Sequence, residues 1–323
     1  MRKIISTDHL YPDTSIEEEA FNTAGFKWEI ARSKDIKTLI EECQDADGVM
    51  VTFADMPAEV INSMEKCKII VRTGIGVNNI DIAAATEKKI MVANVLDYCT
   101  DEVSDHAMAL ALTLLRKTYF MNKRIKQGIW DMNEARPIPR LRGLTLALFG
   151  FGSIARKLAE KAKPFGFKVV AYDPFIPSEI FTQCNVKRID DLDELFSCAD
   201  VLSTHIPLLK ENQGIINYDK LKMMKKSAIF INTARGLLVN EKDLYQALDE
   251  GLIAGAGLDV LSSEYPDLKH PLVQMDNVVI TPHMAFYSDG SDIELRQKSC
   301  QQVIMALKEG QPEYFVNKKA LGY

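Results

Sequence analysis

The chain has 323 residues, 47 % of them apolar and 26 % charged, an ordinary globular balance with room for two domains, each with its own core. A formal net charge of −6 gives no electrostatic reason to bind nucleic acid or an anionic membrane surface, and no apolar run approaches the length of a bilayer span. The first residues enter a strand-like run without a signal-peptide pattern, and six scattered cysteines (Cys43, Cys67, Cys99, Cys184, Cys198, Cys300) form no CxxC, so free thiols in a reducing cytoplasm are expected.

Strand-like runs at 3–8, 26–31, 48–53, 68–73 and 90–95 alternate with helical patterns near 14–24, 34–42, 57–64 and 80–88. β-branched runs separated by helix-length segments predict a parallel sheet with helices on both faces. Residues 101–127 then read as one long helix. Its apolar stripe is Val103, Ala107, Leu110, Ala111, Leu114 and Leu115, and Thr100 or Asp101 is its expected cap.

After an apolar run at 144–149 comes Gly150-Phe151-Gly152-Ser153-Ile154-Ala155, opening a helix in which Ile154, Leu158, Ala159 and Ala162 recur. A second β-like run at 167–173 ends in Asp173. Strand, glycine turn, helix, strand and terminal acid in that order predict dinucleotide binding. Gly150 permits the tight turn and Gly152 lets the backbone approach a pyrophosphate. The N–H groups at Ser153 and Ile154 face the phosphates, and Asp173 accepts from the adenosine ribose. A carboxylate there repels a 2′-phosphate, and no cation follows before Lys187, so NAD is the expected cofactor.

The alternation resumes with strands at 201–206, 228–233, 255–260 and 277–283 and helices near 191–198, 218–224 and 241–250, then a final helix at 291–309. The chain therefore reads as α/β, two doubly wound parallel-sheet domains. One comprises 1–100 and 289–323, the other is inserted as 101–288, and the helices starting at 101 and 291 would carry the chain across and back. A cleft between the domains is then the expected place for chemistry.

Candidate chemistry gathers after the later strands. His283, in Thr281-Pro282-His283-Met284-Ala285, follows a strand at the ligand-facing edge of such a sheet, and imidazole exchanges protons near neutral pH. Glu264, in the loop after 255–260, is a candidate to orient it. Asp259 serves either structurally or at the nicotinamide end. Arg235, in Asn232-Thr233-Ala234-Arg235-Gly236, offers a guanidinium to a carboxylate substrate. His205, just before Pro207, lines the cofactor site or the core. His9, His106 and His270 read as structural or surface residues.

These segments, with Arg72-Thr73-Gly74-Ile75-Gly76-Val77-Asn78-Asn79-Ile80-Asp81, resemble the D-isomer-specific 2-hydroxyacid dehydrogenase family over essentially the whole chain. The resemblance implies a flavodoxin-like substrate domain and a Rossmann NAD domain. It implies catalytic Arg235, Glu264 and His283, and a carboxylate-binding loop at Gly74, Ile75 and Gly76. It also brings Thr233 and Ala234 to the cofactor, and implies no metal. The expected activity is hydride transfer between NAD(H) and C2 of a small 2-hydroxy or 2-oxo acid. Pro207-Leu208-Leu209 departs from the Pro-Leu-Thr of many members. Arg72 and Phe286 resemble the C-terminal-binding-protein branch, where such residues shape the substrate site. Arg72 either binds a distal anion or pairs with Asp81, and Phe286 either walls the pocket or packs. The loop at 53–57 lacks the cation expected for 3-phosphoglycerate, which stays a secondary substrate reading. An NAD(H)-sensing, corepressor-like binding protein is the alternative function. The apolar helix from 101 and the loop around Ile129-Trp130 suggest a homodimer.

Overall fold

The computed structural model describes all 323 residues, which form two units, Met1–Tyr98 with Ser288–Tyr323 and Cys99–Tyr287. In the first unit the chain alternates β1 (Arg2–Ser6), α1 (Ser15–Ala24), β2 (Phe26–Ile30), α2 (Ile36–Cys43), β3 (Gly48–Val51), α3 (Ala58–Ser63), β4 (Ile69–Arg72), α4 (Ile82–Glu87) and β5 (Met91–Ala93). The five strands are all parallel, in the order β2-β1-β3-β4-β5. Alternation within the strands sends Ile5, Val49, Val51, Ile70 and Val92 to the face covered by α2, α3 and α4. Ile4, Met50, Ile69, Val71 and Met91 face Phe21 of α1 and Cys300, Val303, Ala306 and Leu307 of the C-terminal helix, Asp289–Lys308.

That helix is also fastened to α1 by charge. Arg296 Nε and Nη2 donate to Glu17 Oε1 and Oε2 at 2.8 and 2.6 Å, and Nη2 also donates to the Asp13 carbonyl. Both side chains are almost wholly buried, 5 % and 2 % exposed. Such a fork-on-fork pair is the geometry guanidinium and carboxylate favour.

The second unit runs α5 (Thr100–Leu115), α6 (Thr118–Lys126), β6 (Thr145–Phe149), α7 (Ser153–Ala162), β7 (Lys168–Tyr172), α8 (Ser178–Gln183), β8 (Lys187–Arg188), α9 (Leu192–Cys198), β9 (Val201–Thr204), α10 (Tyr218–Met223), β10 (Ile229–Asn232), α11 (Glu241–Asp249), β11 (Gly255–Leu258), α12 (Pro271–Gln274) and β12 (Val278–Ile280). Its seven strands are parallel in the order β12-β11-β10-β9-β6-β7-β8. Connections run one way from β6 to β8 and the other way from β9 to β12. The switch point, where ligands meet such sheets, therefore lies between β6 and β9. No helix is long and apolar enough to cross a membrane, and none of the six cysteines is in a disulfide.

Three expectations are corrected. Residues 101–127 are two helices, not one, because Lys117 takes the left-handed conformation (φ 53°) and breaks the ladder. Cys99 stands at the cap position of α5 and makes no side-chain cap hydrogen bond, while Thr100 is already helical, so neither Thr100 nor Asp101 caps it. The helices expected to cross between domains each lie within one unit. α5 packs on α7, β10 and β11, and the C-terminal helix packs on α1, β3 and β4. The stripe residues Ala107, Leu110, Ala111 and Leu115 are buried against Leu146, Leu148, Ala155 and Leu158 of their own unit.

Candidate functional site

At the switch point the turn after β6 is built to let something approach. Gly150 has φ 96°, and a Cβ there would stand 2.8 Å from the His205 carbonyl carbon and oxygen, so this position needs glycine. Gly152 is the N-cap of α7, and a Cβ on it would meet nothing within 4 Å. The amides of Ser153 and Ile154 open the helix toward that space. Asp173, one residue past β7, fixes the turn: Oδ2 accepts from Phe151 N and Oδ1 from Phe175 N, both at 2.9 Å. Each oxygen keeps a further lone pair for a ribose hydroxyl.

His205 follows β9, with Nε2 2.8 Å from Ser203 Oγ, and Pro207 lies exposed beyond it. Burial lowers the His205 imidazole to about 4, so it is neutral at physiological pH and places no charge beside the turn. Beyond β10, Thr233 Oγ1 is buried without a hydrogen-bond partner in the chain, and Ala234 N donates to Asn232 Oδ1 at 3.0 Å. An open glycine turn, helix amides, a positioned carboxylate and an orphaned hydroxyl fit a dinucleotide.

The remaining groups follow β10, β11 and β12 on the same sheet edge. Asn232 Nδ2 donates to the Arg235 carbonyl at 2.9 Å, and Arg235 Nη1 donates to the Ala234 carbonyl at 2.6 Å. Gly236 comes next, and a Cβ there would overlap the backbone of Leu261 and Ser262. The loop carrying Glu264 therefore rests directly on the loop carrying Arg235. His283 Nδ1 lies 2.8 Å from Glu264 Oε2 and 2.9 Å from Oε1. A carboxylate only accepts, so Nδ1 carries the hydrogen and proton exchange with a substrate falls on Nε2. The Phe286 ring stands edge-on to the imidazole, 6.2 Å between centroids at 89°.

Asp259 ties the loop after β12 to the end of β11. It is 1 % exposed, and its carboxylate accepts from Thr281 Oγ1 (2.6 Å), Met284 N (3.0 Å) and Ala285 N (2.9 Å). Sequence reasoning missed Thr281 and His106 here. His106 of α5 places Nε2 2.8 Å from Thr281 Oγ1. The available signal was the Thr281-Pro282-His283 run itself, because a hydroxyl two residues before a strand-end histidine is placed to tie the turn.

In the first unit, Arg72 ends β4 and donates to the Thr73 carbonyl, with its Cζ 5.9 Å from the Phe53 ring centre. Its guanidinium fills the space a Cβ on Gly74 would take. Gly74 has φ 142°, Asn94 Nδ2 donates to the Ile75 carbonyl at 2.7 Å, and Gly76 continues this braced loop. Asp81 caps α4, accepting from Ala84 N at 2.9 Å.

Gly236→Ala is expected to push the 261–262 backbone outward and carry Glu264 with it. Turnover should fall by about a hundredfold, the scale of an ångström-sized misplacement, with NADH affinity unchanged. Steady-state kinetics beside NADH titration checks this.

Residues 108–285 match the family model described as D-isomer specific 2-hydroxyacid dehydrogenase, NAD binding domain. Over 306 residues, 94 % of its length, the chain is 38 % identical to D-3-phosphoglycerate dehydrogenase of Methanocaldococcus jannaschii, covering 56 % of that protein. It is 35 % identical over 292 residues to glyoxylate reductase of Thermofilum pendens, covering 88 % of this chain and 85 % of the relative. The chain spans about half the length of the phosphoglycerate dehydrogenases it matches, 56 % and 52 %. Among solved structures, D-lactate dehydrogenase from Aquifex aeolicus complexed with NAD and lactic acid superposes with a TM-score of 0.87 at 28 % identity, covering 95 % of this chain and 96 % of that one.

Proposed function

The chain belongs to the D-isomer-specific 2-hydroxyacid dehydrogenase family and carries its NAD-binding domain, and from that premise we propose that it interconverts a small 2-oxo acid and its 2-hydroxy acid with NAD(H). The observation that carries this reading is the His283–Glu264 pair, 2.8 Å apart, at the strand ends that also hold Arg235 and the glycine turn. Bound NADH supplies the hydride to C2. Arg235 holds the substrate carboxylate and polarises its neighbouring carbonyl. His283 gives the proton on Nε2 to the developing oxyanion, and in the oxidative direction takes it back from the hydroxyl. Glu264 accepts from Nδ1, which fixes the ring and stabilises the charge that imidazole carries before donation. In the first unit the same reading keeps the Gly74–Gly76 amides as an anion-binding loop and gives Arg72 and Phe53 to substrate choice.

Tyr119, Ile125, Trp130 and Met132 expose apolar surface around α6 and the segment after it, Trp130 to 88 %. A second copy is the reading for this surface, and the mass of the protein in solution checks it.

The test is loss of NADH absorbance with glyoxylate, pyruvate, hydroxypyruvate, 2-oxoglutarate, 4-methyl-2-oxopentanoate and phosphohydroxypyruvate, with NADPH in parallel. Turnover with one acid and a preference for NADH supports the reading. Tight NADH binding with no turnover across the panel overturns it in favour of NADH sensing.

A further inference from the structure

The catalytic turn is held from an unexpected direction. His283 sits in the left-handed region, φ 51°, a conformation costly for most side chains and kept only where the surroundings over-determine it. Three consecutive amides fix it, all to Asp259: His283 N to the backbone carbonyl (2.8 Å), Met284 N to Oδ1 and Ala285 N to Oδ2. The Asp259 side chain is 1 % exposed, and a polar group buried so far needs hydrogen-bond partners. The remaining donor to Oδ1 is the Thr281 hydroxyl at 2.6 Å.

That bond settles the next one. The Thr281 proton points at Asp259, so toward His106 the oxygen accepts, and His106 Nε2 must carry the hydrogen at 2.8 Å. Nε2 is also 3.6 Å from Asp259 Oδ1. The chain of donation runs from His106 through Thr281 to Asp259, and from there to the backbone of the turn. His106 belongs to α5, the helix that packs on α7, so one helix braces both the dinucleotide turn and the catalytic turn.

We infer that His106 is a positioning residue for His283, acting through Thr281 and Asp259 without touching substrate. The inference rests on the proposed reductase reading for its kinetic consequence, but its structural content stands apart from it. A half-buried histidine that only filled space would be replaceable by a hydrophobe. A donor is not. Glutamine places its amide N–H close to where histidine places Nε2–H, whereas leucine matches bulk and donates nothing.

The experiment compares His106→Leu, His106→Gln, Thr281→Val, Thr281→Ser and the Leu/Val double variant in the full chain. His106→Leu and Thr281→Val should each lower kcat by about ten- to a hundredfold, with the dissociation constant for NADH unmoved. His106→Gln and Thr281→Ser should stay within about threefold of the parent. The double variant should be no worse than the weaker single, because both substitutions cut one path. In parallel, the imidazole NMR signals of His283 should move in His106→Leu and return in His106→Gln. That readout needs no turnover, so it decides the inference even if the parent reduces none of the acids. Parent-like kcat in His106→Leu, equal losses in the leucine and glutamine variants, or an unmoved His283 spectrum would overturn it.

Discussion

His283→Asn is expected to lower kcat by about a thousandfold, within the range a positioned acid–base group supplies, and to leave NADH affinity unchanged. Asparagine is the informative replacement because it tolerates the positive φ of this position, so the turn survives while the proton-exchanging ring is lost. Its amide can still accept or donate a hydrogen bond, but it neither gives nor takes a proton near neutral pH. NADH affinity should hold because the glycine turn, the α7 amides and Asp173 lie on other loops, after β6 and β7. Adding imidazole to the variant should restore part of the rate. Parent-like turnover would remove His283 from the chemistry and the proposed function with it.

Arg296→Met is expected to destabilise the first unit by about 3–5 kcal/mol, the cost of leaving one member of a buried ion pair unpaired. Methionine keeps most of the bulk, so the loss reads charge rather than a cavity. Burial by itself pushes Glu17 up, but the hydrogen bonds and charge of Arg296, with His9 Nε2 3.4 Å away, outweigh it and hold the carboxyl at about 2, against an ordinary 4.5. A folded-state value below the unfolded one contributes stability above pH 4.5 that is lost as pH falls toward 2. The gap between parent and variant should therefore be wide near neutral pH and shrink under acid. His9 adds an opposing limb. The Glu17 carboxylate, with Oε1 3.4 Å from His9 Nε2, outweighs burial and raises the imidazole above 6.5, so its contribution is complete below 6.5 and fades as pH rises through the raised value. Urea unfolding followed by Trp28 fluorescence measures this unit, because Trp28 lies beside His9 and Phe21 while Trp130 is already exposed. An unchanged midpoint at neutral pH would refute the account.

Much of this was legible in the residues because local and global signals agree. The glycine turn between two apolar runs reads as strand–turn–helix, and Asp173 lands where its carboxylate grips that turn. The strand-end positions of Arg235, Glu264 and His283 follow from the β–α alternation alone. What was illegible depended on partners remote in sequence or on single backbone angles. Lys117 breaks a pattern whose apolar spacing continues through it, and no side-chain signal marks a lysine at positive φ. β8 is two residues long, too short to alternate, and α8 just before it has only six residues, under two helical turns. His106 read as a structural or surface histidine because its partner is 175 residues away. The bonds from the Met284 and Ala285 amides to Asp259 join positions 25 and 26 residues apart, beyond the reach of any local pattern.

The first unit is made of two stretches of chain, and its five strands are complete long before its second stretch exists. One face of that sheet finds its cover in α2, α3 and α4, which are synthesised with it. The other lacks Cys300, Val303, Ala306 and Leu307 until the C-terminal helix emerges. At about 5–20 residues per second on the ribosome, the intervening unit takes roughly 10–40 s to make. For that interval Ile4, Met50 and Ile69 border a half-built core, and Glu17 waits without its guanidinium. The second unit, by contrast, is one uninterrupted stretch and needs no later segment to close its core. The order of birth is thus inverted in the order of completion: the unit begun first closes last.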